Sequence, residues 1–260
     1  MDLDLAGKTA IVTGASKGIG LAVTTALVAE GARVIAGSRS SSAGLVALGD
    51  AVRFVPVDLS TASAAKTLVA QATDGLDILV NNVGGLTSRT TGFLDVTDDD
   101  WLETLNLNLM AVVRTTRAAI PFLLERGGGT VVTVCSVNAF LPDPGVIDYS
   151  AAKAGVWNLS KSLSKEFGDR GIRFNTISPG PVSTALWLGP TGVAATVGTA
   201  LGITPEQVQR RALDAGSGTA TDRFTEPAEV ADLVLLLASS RAGNVTGADF
   251  RIDGGLTQEL

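Results

Sequence analysis

The strongest constraint on the fold is a regular alternation between two kinds of segment. Seven short runs, rich in Val and Ile and almost continuously apolar, are separated by longer amphipathic stretches. Apolar runs of this length are typical of strands buried on both faces, and their alternation with helical segments predicts a parallel sheet with helices on both sides. The predicted strands are 8–14, 33–38, 52–57, 76–82, 130–136, 172–178 and 248–253, and the predicted helices are 18–30, about 60–73, 99–126, 149–168 and 226–239.

Neither a repeat nor a low-complexity linker interrupts the chain, so we expect a single domain over residues 1–260. The segment from about 183 to 225 departs from the alternation because it is rich in Gly, Thr and Ala and carries only weak structural signals. Such a stretch inside a compact domain is usually a lid or binding loop. We therefore predict a substrate lid at 183–225, the alternative being a variable surface loop.

Composition excludes several kinds of chemistry. The chain has no histidine and one cysteine, Cys135, which excludes histidine-based catalysis, His-ligated metals, thiolate zinc sites and an internal disulfide. We predict no metal site. A net charge of −6 without a basic run argues against nucleic acid and anionic membranes as partners. The absence of a long apolar run and of a basic leader, together with the lone thiol, predicts a cytoplasmic protein.

The first predicted strand runs into the glycine-rich sequence TGASKGIG, residues 13–20. Glycine lets the chain turn tightly and lets a pyrophosphate come close, while the following helix offers free N–H groups and the positive end of its dipole. The spacing is not G-x-G-x-x-G, so the motif alone could be an ordinary strand–helix turn. Its place after the first strand favours a dinucleotide site, with contacts from Gly14, Ser16, Lys17, Gly18, Ile19 and Gly20.

The residues after the second predicted strand indicate which dinucleotide binds. Folds that prefer NAD usually place an acidic residue here, whereas this chain has Ser38 followed by Arg39. An arginine fork suits a 2′-phosphate, and Lys17 supplies a second cation. The sequence therefore favours NADP over NAD, although Arg39 could instead be a solvated surface charge.

Polar residues also follow the third and fourth predicted strands. Asp58, with Leu59 beside it, could accept a hydrogen bond from the adenine amino group, but an aspartate here could equally cap the next helix. The sequence NNVGG places Asn82 and Gly84 where they could flank a cofactor or join strand ends. As an isolated motif it is only a turn signal.

The only tyrosine, Tyr149, lies four residues before Lys153 in the sequence YSAAK. If 149–168 is helical, the two side chains share one face. An ammonium nearby stabilises a phenolate and brings its pKa closer to neutrality. Ser136, at the end of the fifth predicted strand, could orient a substrate oxygen. We interpret Tyr149 as the acid/base, Lys153 as the group that tunes it and Ser136 as the orienting hydroxyl; an isolated Tyr-x-x-x-Lys pair often has no function.

Several motifs in this order resemble the short-chain dehydrogenase/reductase family over nearly the whole chain. They are TGASKGIG (13–20), Asp58, NNVG (81–84), Asn108, Ser136, YSAAK (149–153) and SPGPVST (178–184). The resemblance implies a Rossmann-like α/β fold, doubly wound, with seven parallel strands and helices on both faces. It also implies a catalytic tetrad of Asn108, Ser136, Tyr149 and Lys153, with Asn106 as the alternative asparagine.

By the same resemblance, the lysine also holds the nicotinamide ribose and the asparagine holds a relay water. Nicotinamide contacts fall on Pro179, Gly180, Val182 and Thr184. Family members typically form tetramers through the two helices that correspond to 99–126 and 149–168. The first of these is apolar on more than one face, so we predict a homotetramer, the alternative being cover from within the monomer.

The sequence therefore predicts an NADP-dependent enzyme that interconverts a ketone and a secondary alcohol. Asn138, Phe140 and Trp187 are predicted to line the substrate pocket together with Ser136 and Tyr149, and Leu141 and Val146 are further candidates for its walls. Most of the proposed wall residues are apolar, which favours a ketone or 3-oxoacyl group. The alternatives are an NAD-linked sugar or polyol dehydrogenase and a non-catalytic NADP-binding regulator. Cys135 is interpreted as a packing residue, with a reactive thiol as the other reading.

Overall fold

The computed structural model describes residues 2–214 and 218–258. Over these residues seven parallel strands form one sheet in the order β3-β2-β1-β4-β5-β6-β7. The chain therefore starts in the middle of the sheet and winds outward in both directions, which creates a topological switch point between β1 and β4. The strands are β1 Thr9–Thr13, β2 Arg33–Ser38, β3 Val52–Pro56, β4 Ile78–Asn81, β5 Gly129–Val134, β6 Ile172–Pro179 and β7 Asp249–Ile252.

Helices cover both faces of the sheet. One apolar core includes side chains of α1 and α10, and the other includes side chains of α3, α5 and α6. Neighbouring residues of β1 show why the middle of the strand is continuously apolar, because Ile11 belongs to one core and Val12 to the other, both fully buried. The helices are α1 Gly18–Ala29, α2 Ala43–Val46, α3 Ala64–Val69, α4 Asp98–Leu105, α5 Ala111–Glu125, α6 Ile147–Phe167, α7 Ala185–Leu188, α8 Val193–Leu201, α9 Pro205–Leu213 and α10 Pro227–Ala238.

The predicted α/β fold is confirmed, and each predicted strand is present within two residues at either end. The helix predicted at 60–73 is shorter, at Ala64–Val69. The predicted helix 99–126 is continuous but contains a π-helical turn at Asn106–Met110 between α4 and α5. In this turn the Ala111 N–H bonds to the Asn106 carbonyl five residues earlier. Such turns often occur at functional sites.

The weak structure predicted for 183–225 is wrong for most of the segment. Three helices, α7, α8 and α9, lie within it, and residues 215–217 fall outside the described part. Helix α9 starts at a capping box in which Thr204 and Gln207 satisfy each other's backbone N–H groups. The segment also joins the body of the fold through an isolated parallel bridge between Val182 and Thr225. Composition hid α8 because it contains Thr and Gly, which are poor helix formers, and the short α7 and α9 are flanked by Gly- and Thr-containing turns.

Among the described residues, the continuous helix Asp98–Glu125 is long and apolar enough to cross a membrane by length and composition alone, as is a bent pair formed by 185–201 and 205–213. Core helices pass the same test, so this is weak evidence for a membrane span. The first helix buries Ala111, Ala119 and Leu123 completely within the protein. Part of its apolar character is therefore used in the core, while Leu102 on its outer face is 58% exposed.

Candidate active site

The glycine-rich turn between β1 and α1 lies at the carboxyl edge of the sheet. Gly14 and Gly18 have φ values of +65° and +53°, the left-handed region that favours glycine. A Cβ on Gly20 would lie 2.2 Å from the Gly14 carbonyl oxygen, so this glycine allows the helix to approach the strand. In the described structure no side chain caps the start of α1. The first-turn N–H groups are thus available to an anion, and the turn fits a dinucleotide pyrophosphate.

Asn82 and Thr13 hold this turn against the next strand of the sheet. The Asn82 side-chain amide donates to the carbonyl oxygens of Thr13 (2.9 Å) and Gly14 (3.3 Å). In return, the Thr13 hydroxyl oxygen accepts from the backbone N–H groups of Asn82 and Val83 at 2.8 and 3.0 Å. Asn82 therefore shapes the glycine turn directly. Thr13 is the first residue of the TGASKGIG motif, but its contact with Asn82 was not predicted, because the two residues are 69 positions apart in the sequence.

Arg39 and Asp58 lie beyond the paired strands β2 and β3, at the same edge of the sheet. Both side chains are exposed, as is Lys17. Hydrogen bonds from Ser60 hold the pKa of Asp58 below its ordinary value, and the nearby charge of Arg39 lowers it further. The Ser60 bonds reach Oδ1 of Asp58 at 2.8 and 3.1 Å. Asp58 thus closes a local turn rather than capping α3, which begins at Ala64.

The remaining cofactor predictions occupy three environments. Ser38 is buried and its hydroxyl donates to the Ser40 carbonyl at 3.0 Å, while Leu59 is a core residue. Ser16 and Ile19 are half-buried in the glycine turn.

Thr184 lies over that turn, because its methyl carbon would be 3.2 Å from a Cβ on Gly18. Pro179 and Val182 are buried, and Gly180 bonds to the Ile252 carbonyl at 3.0 Å.

Asn108, Gly84 and Lys153 converge on one point. A Cβ on Gly84 would lie 2.9 Å from Oδ1 of Asn108 and 3.7 Å from Nζ of Lys153. Asn108 is 1% exposed and makes two hydrogen bonds with the backbone of Gly85. Its side chain accepts from the Gly85 N–H at 3.1 Å and donates to the Gly85 carbonyl at 2.9 Å. The loop after β4 and the π-helical turn therefore meet beside the lysine. The rival asparagine, Asn106, instead accepts from Arg114 at 3.0 Å.

Tyr149 and Lys153 lie one turn apart on α6, as their spacing predicts. The Lys153 ammonium nitrogen is 5.6 Å from the centroid of the Tyr149 ring and donates to the Val134 carbonyl at 2.9 Å. Lys153 is 3% exposed, and Tyr149 is buried except for about a tenth of its surface. Burial and the bond to β5 fix the lysine, so its charge remains next to the phenol.

Ser136 lies two residues beyond the end of β5, whose last carbonyl, that of Val134, anchors Lys153. Its hydroxyl donates to Oδ1 of Asn138 at 3.1 Å and accepts from the Asn138 backbone N–H at 3.2 Å. The predicted pocket residue Asn138 is therefore a direct partner of Ser136. These two bonds fix the direction in which the serine hydroxyl points.

The predicted apolar pocket residues are partly occupied by other contacts. Phe140 packs edge-on against Trp157 with ring centroids 6.1 Å apart, and the Arg251 guanidinium lies 4.3 Å from the Phe140 centroid. Trp187 packs edge-on against Phe224 at 5.3 Å, which ties α7 to the residues before α10. Both predicted residues are half-buried. The structure thus places them in aromatic contacts but leaves their role toward a substrate as a prediction.

Cys135 is 3% exposed and belongs to a small apolar cluster with Val112 and Val156. Burial raises the pKa of its thiol, so the thiol stays protonated and unreactive near neutral pH. The interpretation as a packing residue agrees with these observations. Within the described residues no group of three or more candidate ligand side chains could hold a metal ion.

Sequence reasoning missed a charged cluster beside the tyrosine. Asp148 is fully buried directly before Tyr149, and it binds the Arg89 guanidinium and the Thr104 hydroxyl. These partners are 59 and 44 residues away in the sequence. No local pattern joins positions so far apart. The one available signal was an aspartate inside an otherwise weakly charged stretch.

The doubly wound sheet and its glycine-rich first turn define a Rossmann-like dinucleotide-binding protein. Residues 8–189 match the family model described as short chain dehydrogenase. The chain belongs to this family.

Relatives align along nearly the full length of the chain. A 3-oxoacyl-[acyl-carrier-protein] reductase from Thermotoga maritima is 33% identical over 97% of this chain and 98% of its own. A D-threitol dehydrogenase from Mycolicibacterium smegmatis is 35% identical over 98% of this chain and 95% of its own. The crystal structure of L-sorbose reductase from Gluconobacter frateurii, complexed with NADPH and L-sorbose, superposes with a TM-score of 0.89 at 30% identity and covers both chains completely.

Proposed function

We propose that this protein is an NADP-dependent oxidoreductase that interconverts a ketone and a secondary alcohol, with Tyr149 as the acid/base. The convergence of Asn108, Gly84 and Lys153 beside Tyr149 is the observation that carries the proposal. It combines a phenol, a fixed ammonium and a buried amide next to a turn that fits a dinucleotide. A non-catalytic regulator is not favoured, since all four predicted catalytic side chains are present.

The side chains divide the proton chemistry between them. Tyr149 donates a proton to the substrate oxygen during reduction and accepts it during oxidation. The Lys153 ammonium stabilises the phenolate that forms, and it is held in place by the Val134 carbonyl. Ser136 orients the substrate oxygen, and its own direction is set by Asn138. When bound, the nicotinamide supplies or accepts the hydride.

The preference for NADP rests on positive charge at the end of β2. Arg39 and Lys17 are both exposed at the carboxyl edge of the sheet, and the last residue of β2, Ser38, does not carry a carboxylate. A guanidinium next to the adenosine ribose suits a 2′-phosphate. The related L-sorbose reductase was crystallised with NADPH, which supports the same choice.

The substrate class is a carbonyl compound or its alcohol. The relatives are named for a 3-oxoacyl-[acyl-carrier-protein], a hydroxysteroid, D-threitol and L-sorbose, which share a ketone or secondary alcohol. Phe140 packs against Trp157, and Trp187 packs against Phe224 within the proposed lid 183–225, so both predicted pocket residues contribute apolar surface. We therefore favour a ketone or 3-oxoacyl group over a free sugar.

We further propose a homotetramer in the cytoplasm. Leu102 on α4 and Trp157 on α6 leave 58% and 41% of their surfaces exposed. Apolar side chains on the outer faces of these helices suit contacts with copies of the same chain. Sedimentation equilibrium measures the assembly directly, and a monomer at micromolar concentration would contradict it.

Replacing Tyr149 with Phe tests the function. We expect kcat for NADPH-dependent reduction of ethyl acetoacetate to fall by about 10²- to 10⁴-fold, the usual contribution of a general acid, while NADPH affinity changes little. Ser162→Ala is the matched control, because it removes a hydroxyl from the exposed side of the same helix.

The assay follows NADPH absorbance for turnover and protein fluorescence for binding. Near-normal turnover in Tyr149→Phe would exclude the tyrosine as proton donor. NADPH binding without turnover by the wild type on a panel of ketones, keto-esters and alcohols would instead favour a regulator.

A further inference from the structure

A buried carboxylate lies directly before the proposed acid/base and has no part in the chemistry described so far. Asp148 is fully buried at the start of α6, and its Oδ1 accepts from the Tyr149 backbone N–H at 3.0 Å. Its Oδ2 accepts from Nε and Nη2 of Arg89 at 3.1 and 2.5 Å and from the Thr104 hydroxyl at 2.7 Å. Four donors thus meet one carboxylate, and one of them is the backbone of the proposed acid/base.

The same cluster reaches the proposed catalytic asparagine. Thr104 uses its hydroxyl to bind Asp148 and its carbonyl to accept from the Asn108 side chain at 3.0 Å. A continuous chain of hydrogen bonds therefore runs from the Tyr149 backbone through Asp148 and Thr104 to Asn108. It joins the start of α6 to the helix that carries the asparagine.

Arg89 connects this chain of hydrogen bonds to the loop that follows β4. Its Nη1 donates to Asp100 at 2.8 Å, and its backbone N–H donates to the Gly145 carbonyl at 2.7 Å. Only 12% of the Arg89 side chain and 1% of the Asp148 side chain are exposed. Burial raises the pKa of Asp148, but bonds from Arg89, Thr104 and the Tyr149 N–H outweigh this effect and leave the pKa below its ordinary value. The pair is therefore ionised at neutral pH.

We propose that Arg89, Asp148 and Thr104 form a positioning cluster that sets the distance between Tyr149 and Asn108 and so determines the rate of the chemical step. The inference rests on the proposed function, since it assigns these residues to the same reaction. The cluster does not touch the reacting atoms. Its effect is on geometry, where an error of about 1 Å can cost 10²-fold in rate.

The test compares Arg89→Lys with Arg126→Lys. An ammonium lacks the planar fork that lets Arg89 bind two carboxylates at once. Arg126 is the matched control, because it also pairs with a carboxylate, that of Asp77 at 3.4 Å. Asp77 lies just before β4, so this pair is at the opposite edge of the sheet from Arg89. For Arg89→Lys we expect kcat with NADPH and ethyl acetoacetate to fall by about tenfold, with the Kd for NADPH within about threefold of wild type.

A readout of the chemical step separates positioning from stability. With NADPH deuterated at the transferred position, the isotope effect on kcat should rise in Arg89→Lys, because a misplaced acid/base makes the chemical step more rate-limiting. Thr104→Val keeps the carbonyl partner of Asn108 but loses the hydroxyl. It should also lower kcat and raise the isotope effect on kcat, each by a smaller factor than Arg89→Lys. Activities are normalised to the folded fraction measured by circular dichroism.

The outcomes separate the inference from the proposed function. An active wild type in which Arg89→Lys and Thr104→Val keep wild-type kcat and isotope effects, even with lowered melting temperatures, overturns the inference alone. Wild-type protein that binds NADPH but reduces no substrate overturns the proposed function and the inference together. If Arg89→Lys does not fold, Thr104→Val decides the question, because it leaves the ion pair intact.

Discussion

The contact between Gly84 and Asn108 allows the site to be perturbed by a single methyl group. Gly84→Ala would place a Cβ 2.9 Å from Oδ1 of Asn108, whereas ordinary contacts begin at about 3.4 Å. The amide must therefore move by about 0.5 Å. It cannot simply rotate away, because its side chain is held by Gly85 and by the Thr104 carbonyl.

Two consequences of known size follow. Overpacking a well-ordered site costs about 1–3 kcal/mol, so the free energy of unfolding should fall by about that amount. A displacement of half an ångström at an aligned site should lower kcat by about tenfold, since about 1 Å can cost 10²-fold. Neither effect includes backbone strain, because Gly84 does not have a left-handed φ.

The adjacent glycine provides the control. A Cβ on Gly85 would lie 3.4 Å from a methyl carbon of Leu107, an ordinary contact, and Gly85 also lacks a left-handed φ. Gly85→Ala keeps the N–H and carbonyl that bind Asn108, so kcat should stay within about threefold of wild type. Urea unfolding and steady-state reduction of ethyl acetoacetate measure both variants. Equal kcat values in the two variants would refute the claim that the Asn108 side chain must stay in place.

Three further predictions use other parts of the structure. Arg39→Asp should raise the KM for NADPH and lower the KM for NADH, because a carboxylate repels the 2′-phosphate and suits a free ribose. An unchanged ratio of these two KM values would contradict the assignment of NADP. Cys135, whose pKa is raised by burial, should react with a thiol reagent such as dithionitrobenzoate only as fast as the protein unfolds, and rapid labelling of active enzyme would contradict its packing role. Burial raises the pKa of Asp77, but the Thr9 N–H and the Arg126 guanidinium outweigh this and lower it overall. The contribution of the Asp77 carboxylate to stability is therefore present above its pKa in the unfolded state, about 4, and is lost as the pH falls through its lower pKa in the folded state. The urea midpoints of wild type and Asp77→Asn should differ at pH 7 and converge toward pH 3.

Local patterns were sufficient for the fold and for several contacts of the site. The Val- and Ile-rich runs predict all seven strands, because strands inside a sheet covered by helices on both faces are mostly apolar. The four-residue spacing of Tyr149 and Lys153 predicts their shared helix face. The segment 183–225 was harder, because α8 is rich in Val, Thr and Gly, which have low helix propensity, and because α7 and α9 are short helices set off by Gly-containing turns.

By itself, the sequence determined the order of strands and helices and the glycine turn, and it singled out Tyr149 as the candidate acid/base, because each of these depends on residues that are close together in the chain. Only the tertiary structure decided that Asn108 meets Gly84 and Lys153 and that Asp148 is shared by Arg89 and Thr104. These contacts join segments tens of residues apart. Their partners are selected by how the helices pack on the sheet, and hydrogen-bonding groups at such distances leave no periodic signal in the sequence.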